Sequence, residues 1–325
     1  MIEQTFTEAA RDALSEAMDR DPTIFVVGEG VGPRGGNFET TAGLYEKHGP
    51  VRVCDTPICE RGFIGMCTGA AMTGTRPVVD FMFMDFILDG LGELINQTSK
   101  MQYMSSGRLK MPLVLRGCIG IGHSAATHHS GSYYPLFTHI PGFRVVLPSN
   151  PADAKGLFAT ALRSDDPVFF MEHRQLLNTR GPVPEGEHLI PFGKAVVARE
   201  GTDATVVALS VMVNHALYVA EELSSEGISL EIIDPRTVAP LDVTTILESV
   251  RKTGRLLIVD ETFMPCGIGA EISAHVTEHG FDELDAPIKR LNGAHIPTPY
   301  SPPLEKALIP DRVSLAQAVH DLMAE

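Results

Sequence analysis

Apolar positions along the chain alternate between a helical and a strand-like period. Ala9, Ala10, Ala13, Leu14 and Ala17 recur at helical spacing within an acidic amphipathic opening segment, MIEQTFTEAARDALSEAMDRD. TIFVVGE follows, a β-branched run closed by Gly28. The alternation then predicts helix 60–73, strand 78–82, helix 85–104, strands 112–117 and 143–148, helix 151–164 and strand 167–173. Helix 151–164 begins with Pro151 and carries Asp153 near its positive end. Residues 179–203 break the pattern with three prolines and four glycines, and read as a linker between domains. A second block predicts strands 205–210, 230–235, 255–261 and 287–291, interleaved with helices 213–224, 242–252, 267–279 and 313–324. Short, continuous apolar strands between helices imply an α/β fold with parallel sheets covered on both faces. The expected organisation is a first domain over 1–180, a linker over 181–203 and a second domain over 204–325.

Charge and composition narrow the partners. A net charge of −15 repels phosphate backbones and anionic lipid, so neither nucleic acid nor a membrane surface is an expected partner. Cys54, Cys59, Cys67, Cys118 and Cys266 are odd in number and form no CxxC, which argues against a disulfide framework or zinc knuckle and for reduced thiols in a cytoplasm. The opening helix lacks a basic segment followed by an apolar core, so no signal peptide is expected, and no apolar run approaches the ~18 residues of a membrane span. Neither GxGxxG after a strand nor GxxxxGK[ST] occurs; Gly117, Gly120 and Gly122 cluster without a following lysine.

Several segments, in order, carry a family resemblance: DTPICERGFIGMCTGAA (55–71), FMFMDF (81–86), INQTSKMQYMSSG (95–107), THIPGFRVVLPSNPADAKGL (138–157), DDPVFFMEH (165–173), PRTVAPLD (235–242), ESVRKTGRLLIVDE (248–261) and PYSPPLEKALIP (299–310). Together they resemble the β subunits of thiamine-diphosphate-dependent 2-oxo acid and acetoin dehydrogenases, a branch of the transketolase-like family. The resemblance implies a pyrimidine-binding domain followed by a C-terminal transketolase-like interface domain. It implies an α2β2 heterotetramer in which the α subunit holds Mg²⁺ and the diphosphate. The absence of a GDG triplet followed by a distant Asn agrees with that division. The implied reaction is cleavage of acetoin, or decarboxylation of pyruvate or a similar 2-oxo acid, with the acyl group passed to lipoamide on a lipoyl-bearing acyltransferase.

The resemblance places Glu60 against the cofactor's aminopyrimidine. A carboxyl at that ring nitrogen drives the amino group toward its imino form, which then serves as base for the weakly acidic thiazolium carbon. The competing reading is a carboxylate at the start of a helix, attracted by its dipole. Ile58 would supply an apolar neighbour, Met82 a soft apolar contact and Phe86 a stacking face; core packing is the alternative for Phe86. Counting back from Pro141 aligns His129 and His139 with the family's two loop histidines. His129 would then guide acyl transfer as a proton partner. Gly131 stands where the family carries Gln, and His128 adds a second imidazole; His123 and His128 read as solvated. The resemblance also raises a structural potassium site at Leu113, Ala161, Leu162, Ser164 and Asp166, although Ser164 replaces the family's aspartate.

Other readings use the same residues. Metal binding by the loop histidines lacks a ligand spacing such as HExxH. A serine hydrolase would use Ser124 in GHSAA, with Asp260 and His275 in the required order, but needs a helix after the serine. A stand-alone thiamine-dependent acyloin lyase or ligase, or a non-catalytic scaffold subunit, completes the set.

Overall fold

The computed structural model describes residues 1–325, which form two compact units. The first comprises Met1–Gly120 and His128–Phe192; the second comprises Ile121–Thr127 and Gly193–Glu325.

The first unit opens with β1 (Ile2–Thr5) and α1 (Phe6–Arg20). Thr5 stops the strand and starts the helix: its hydroxyl accepts from Glu8 N while the Glu8 carboxylate accepts from Thr5 N. Ala9, Ala10, Ala13, Leu14 and Ala17 form the buried face predicted by their spacing. The central sheet contains β2 (Ile24–Gly28), β3 (Val53–Asp55), β4 (Arg76–Phe83), β5 (Val114–Ile119), β6 (Arg144–Val146) and β7 (Val168–His173). Its order within the unit is β3-β2-β4-β5-β7-β6, every pair parallel, with Val26 opposite Val53 and Val78, and Val114 opposite Val78 and Val168. The residues of β5 and β7 are buried throughout, as both-face burial of a parallel sheet requires. Helices α2 (Glu60–Met72) and α3 (Pro151–Ala161) belong to this unit; Asn150 caps α3 by accepting from Asp153 N.

The stretch expected to be one helix over 85–104 is broken. It runs as a 3₁₀ segment (Met84–Gly90), a short α turn (Leu91–Glu93), a π turn (Leu94–Thr98) and a last α turn (Met101–Met104). Gly90 shows the cause, because a Cβ there would come within 2.2 Å of Ile64 Cδ1 on α2. Close docking on α2, rather than helical periodicity, sets this backbone. The proline- and glycine-rich stretch 179–203 also contains order: β8 (Arg180–Val183) pairs antiparallel with β1, and β9 (Val196–Arg199) belongs to the second unit.

In the second unit β9 joins β10 (Ala204–Ala208), β11 (Leu230–Asp234), β12 (Leu256–Phe263) and β13 (Lys289–Gly293) in the order β13-β12-β10-β11-β9. Only β9 runs antiparallel. Helices α4 (Met212–Ser224), α5 (Val243–Thr253), α6 (Ile268–Gly280) and α7 (Arg312–Met323) accompany this sheet. Asp242 caps α5 and Gly254 ends it in the left-handed conformation, φ 68°. No helix is long and apolar enough to cross a membrane.

Candidate active site

Parallel sheets place their sites beyond the carboxyl ends of their strands. In the first unit those ends carry Glu29 after β2, Thr56 after β3, Met82 and Phe83 on β4, and the loop after β5. Strand β4 is irregular there: its register against β5 shifts between Asp80 and Phe83, and Met82 adopts a left-handed φ of 60° while its N–H donates to Asp80 Oδ1 at 2.9 Å. Such a bulge re-aims a side chain at the sheet edge.

Glu60 is the first residue of α2 and only 8% exposed. Cys59 before it provides no side-chain cap, so the helix start exposes its positive end to this carboxylate alone in the first turn. Helix α2 is held to the segment carrying Phe86 by the Gly90–Ile64 approach and by an Arg61–Glu93 ion pair of 2.8 Å. Glu29 lies within the field of Glu60; burial first, and the Glu60 charge second, hold its carboxyl above the usual range. Its Oε1 is buried and has no hydrogen-bond partner.

Phe83 centres an aromatic wall. Its ring lies 5.3 Å from Phe38, 6.0 Å from Phe86 and 4.8 Å from His129, all nearly perpendicular. His129 also meets Phe86 at 5.3 Å. The Arg174 guanidinium sits 4.8 Å from the Phe83 ring centre, buried, with Nη1 unpaired. The loop is pinned by Asp85, which accepts from Gly131 N at 3.1 Å. Burial pushes the Asp85 carboxyl up against the lowering effect of that bond. A Cβ on residue 131 would meet the Tyr133 ring at 2.1 Å and Asp85 Oδ1 at 2.8 Å, so glycine is what this packing admits. His123, His128 and His139 are exposed, so of the four loop histidines His129 is the one set against the aromatic wall.

Residues 3–180 match the pyrimidine-binding domain of transketolase, and residues 193–315 match the transketolase C-terminal domain. The chain belongs to the transketolase-like family of dehydrogenase β subunits. It is 44% identical over 315 residues to the pyruvate dehydrogenase E1 component subunit beta of Rickettsia bellii, covering 97% of each chain. Over 325 residues it is 43% identical to the acetoin:2,6-dichlorophenolindophenol oxidoreductase subunit beta of Cupriavidus necator, covering 97% of this chain and 96% of that one. The protein of that name from Bacillus subtilis is 42% identical over 333 residues, covering 99% and 97%. A solved split-gene transketolase, an inactive beta4 tetramer, superposes with a TM-score of 0.81 over 98% of both chains at 20% identity, which speaks for the fold.

The pyrimidine-binding domain of this family member has buried side-chain oxygens without hydrogen-bond partners. Glu29 Oε1, Asn37 Oδ1, Thr56 Oγ1 and Ser130 Oγ are buried and lack hydrogen-bond partners. Asn37 uses its other amide atom, Nδ2, to donate to Met82 Sδ. Unpaired buried polar groups are costly unless a ligand satisfies them. With Glu60, Met82, Phe83 and Phe86 beside them, they fit a flat ring bearing both donors and acceptors. Ile58 does not line this region within the chain, being 82% exposed. No three His, Cys, Asp or Glu side chains converge to hold a metal ion.

Four of the five residues expected at a potassium site have carbonyls that accept hydrogen bonds. Leu113 O accepts from Val168 N, Ala161 O from Ser164 N, and Asp166 O from Ser164 Oγ. The Arg76 guanidinium donates to Ser164 O at 2.9 Å, bringing a positive charge to these carbonyls. The hydrolase arrangement also fails locally. Only a one-turn 3₁₀ segment (Thr127–His129) comes soon after Ser124, whose N–H donates to the Glu305 carboxylate at 3.0 and 3.1 Å. Asp260 accepts from Thr262 N and Oγ1, and His275 is paired with Glu271.

Sequence reasoning passed over Glu29, Asn37, Thr56 and Arg174. Glu29 carried a legible signal, a carboxylate directly beyond the carboxyl end of a buried parallel strand. Its raised carboxyl gives a pH prediction. Stability linked to such a group is complete below its unfolded pKa and is lost as pH rises through the higher folded one. In the assembled, cofactor-free protein, Glu29→Gln is therefore expected to raise Tm at pH 7.5, with the gain shrinking toward pH 4. Equal Tm differences at both pH values, measured by calorimetry, would contradict the placement.

Proposed function

We propose that this chain is the β half of an α2β2 thiamine-diphosphate-dependent dehydrogenase component that cleaves acetoin or decarboxylates pyruvate or a similar 2-oxo acid and passes the acyl group to lipoamide. The observation that carries the reading is Glu60, buried at the start of α2 and next in charge to Glu29, in a site with orphaned polar atoms and an aromatic wall. The chemistry supplied by bound thiamine diphosphate is nucleophilic addition to a carbonyl and cleavage of the adjacent carbon–carbon bond. Glu60 would exchange a proton with the aminopyrimidine nitrogen. Met82 and Phe86 would hold the ring and exclude water, while His129 would donate a proton to the sulfur released as the disulfide of the incoming lipoyl group opens to take the acyl unit. The α partner would bind Mg²⁺ and the diphosphate, and a lipoyl-bearing acyltransferase would be the acceptor.

The test is reduction of an artificial electron acceptor by the αβ assembly, with acetoin and with pyruvate as separate substrates. Turnover of either, dependent on thiamine diphosphate, is the expected result; turnover of neither would contradict the reading. The same assays in potassium and sodium buffers address the cation. Arg76 already supplies positive charge at the Ser164 carbonyl, so activity and Tm are expected to be equal in the two. A potassium-specific rise in both would show that a cation binds there.

A further inference from the structure

Of the twelve histidines, His275 and His279 are the only two spaced four apart within one helix. Residues at i and i+4 lie on the same helix face one turn apart, the spacing by which helical metalloenzymes present two imidazoles to one ion. Both side chains are solvent-accessible, their ring centroids are 6.0 Å apart and their planes differ by 29°. Glu271, one turn earlier, places Oε1 3.2 Å from His275 Nε2. That contact favours the tautomer with its proton on Nε2, leaving the Nδ1 lone pair for a metal, as carboxylates commonly do for metal-bound histidine. Helix α6 is held in place beneath them: Ile268, Ile272 and Val276 are buried, and a Cβ on Gly269 would touch Ile258 on β12 at 3.4 Å. The backbone that sets the imidazole spacing is thus fixed.

We infer that His275 and His279 form a two-imidazole chelate for a divalent d-block cation such as Zn²⁺ or Ni²⁺, with Glu271 orienting His275 and water completing the coordination sphere. No third protein ligand is needed for such a site, and the cluster of three that a closed structural zinc site requires is absent. Imidazole nitrogen selects these ions over Mg²⁺ and Ca²⁺, which prefer oxygen. Binding would clamp one turn of α6 and stabilise the native state. The site uses none of the groups assigned to the thiamine chemistry.

The experiment is calorimetric titration of the metal-stripped αβ assembly with Zn²⁺ and, separately, Ni²⁺, in buffer containing excess Mg²⁺. One ion per β chain with micromolar affinity is expected. His279→Gln and His275→Gln should each abolish it, and Glu271→Gln should weaken it by about tenfold, as loss of an orienting carboxylate does. Hydrogen exchange across residues 275–280 should slow on addition of Zn²⁺ in the wild type and not in His279→Gln. Absence of saturable binding in the wild type, or binding and exchange unchanged in both histidine variants, would overturn the inference. Activity with acetoin or pyruvate is not a readout here, so its presence or absence bears on the proposed function alone.

Discussion

Glu60→Gln, made in the assembled protein, is expected to lower turnover by about two to four orders of magnitude, the usual range for an essential acid–base group. The amide keeps the size and burial of the side chain but cannot exchange a proton with a ring nitrogen. The fold should persist, since α2 is anchored by Phe63, Ile64, Cys67 and Ala71, all buried, and by the Arg61–Glu93 pair. Circular dichroism should therefore match wild type while exchange of the thiazolium proton slows in proportion to turnover. A second signature follows from Glu29. With the neighbouring carboxylate gone, one of the two influences that raise the Glu29 carboxyl is removed. The gain in Tm from Glu29→Gln at neutral pH should accordingly be smaller in the Glu60→Gln background, a coupling expected of groups that interact directly. Near-wild-type exchange would make Glu60 a helix-start carboxylate and nothing more.

The second large effect is expected at His129. In the proposed function Glu60, not His129, activates thiamine, so His129→Ala should leave proton exchange and the artificial-acceptor reaction largely intact. Transfer to lipoamide should fall by about two orders of magnitude or more, because a proton partner in that step is lost. His128→Ala should change little, because His128 is exposed while His129 lies edge-on to Phe83 and Phe86. The two half-reactions separate cleanly in stopped-flow assays with a dye acceptor or a free lipoyl domain. If His128→Ala were the more damaging in the lipoamide assay, the loop would present the other imidazole. If neither substitution mattered, the loop would have no acyl-transfer role and the product would leave without a lipoyl partner.

Much of the fold was legible because its strands are short apolar runs and its helices carry regular small or apolar faces. The run TIFVVGE became β2 and PVFFMEH became β7. Three features were not legible. The segment 84–104 has helix-like composition, but docking of Gly90 on Ile64 imposes a 3₁₀ and π path that only the tertiary fold specifies. Strands β8 and β9 lie in a stretch of prolines and glycines; Pro182 is tolerated because β8 pairs only with β1, in a two-stranded sheet. The buried charges were hidden by separation in sequence. Arg116 on β5 bonds to Glu172 on β7 through Nε at 2.9 Å and Nη2 at 2.7 Å, and lies 4.0 Å from Asp80 on β4, beneath the active-site edge.

The site was legible to the same uneven degree. Glu60, Phe86 and His129 stand out in the sequence through ordered motifs, and the structure places the Phe86 and His129 rings 5.3 Å apart. Glu29 and Asn37 belong to no motif; beyond Glu29's place at the end of a strand, what marks each is a buried side-chain oxygen without a hydrogen-bond partner. Gly131 looked like a lost polar group, whereas the crowding of Tyr133 and Asp85 around it gives the physical reason for a residue without a side chain.

In the proposed function this chain holds only the pyrimidine half of a shared thiamine site. Titration calorimetry with thiamine diphosphate and Mg²⁺ tests it most directly, first on the isolated chain and then on the chain reassembled with its α partner. Weak or undetectable binding to the isolated chain is expected, and micromolar or tighter binding at full stoichiometry once α is present. Micromolar binding at full stoichiometry by the isolated chain would contradict it.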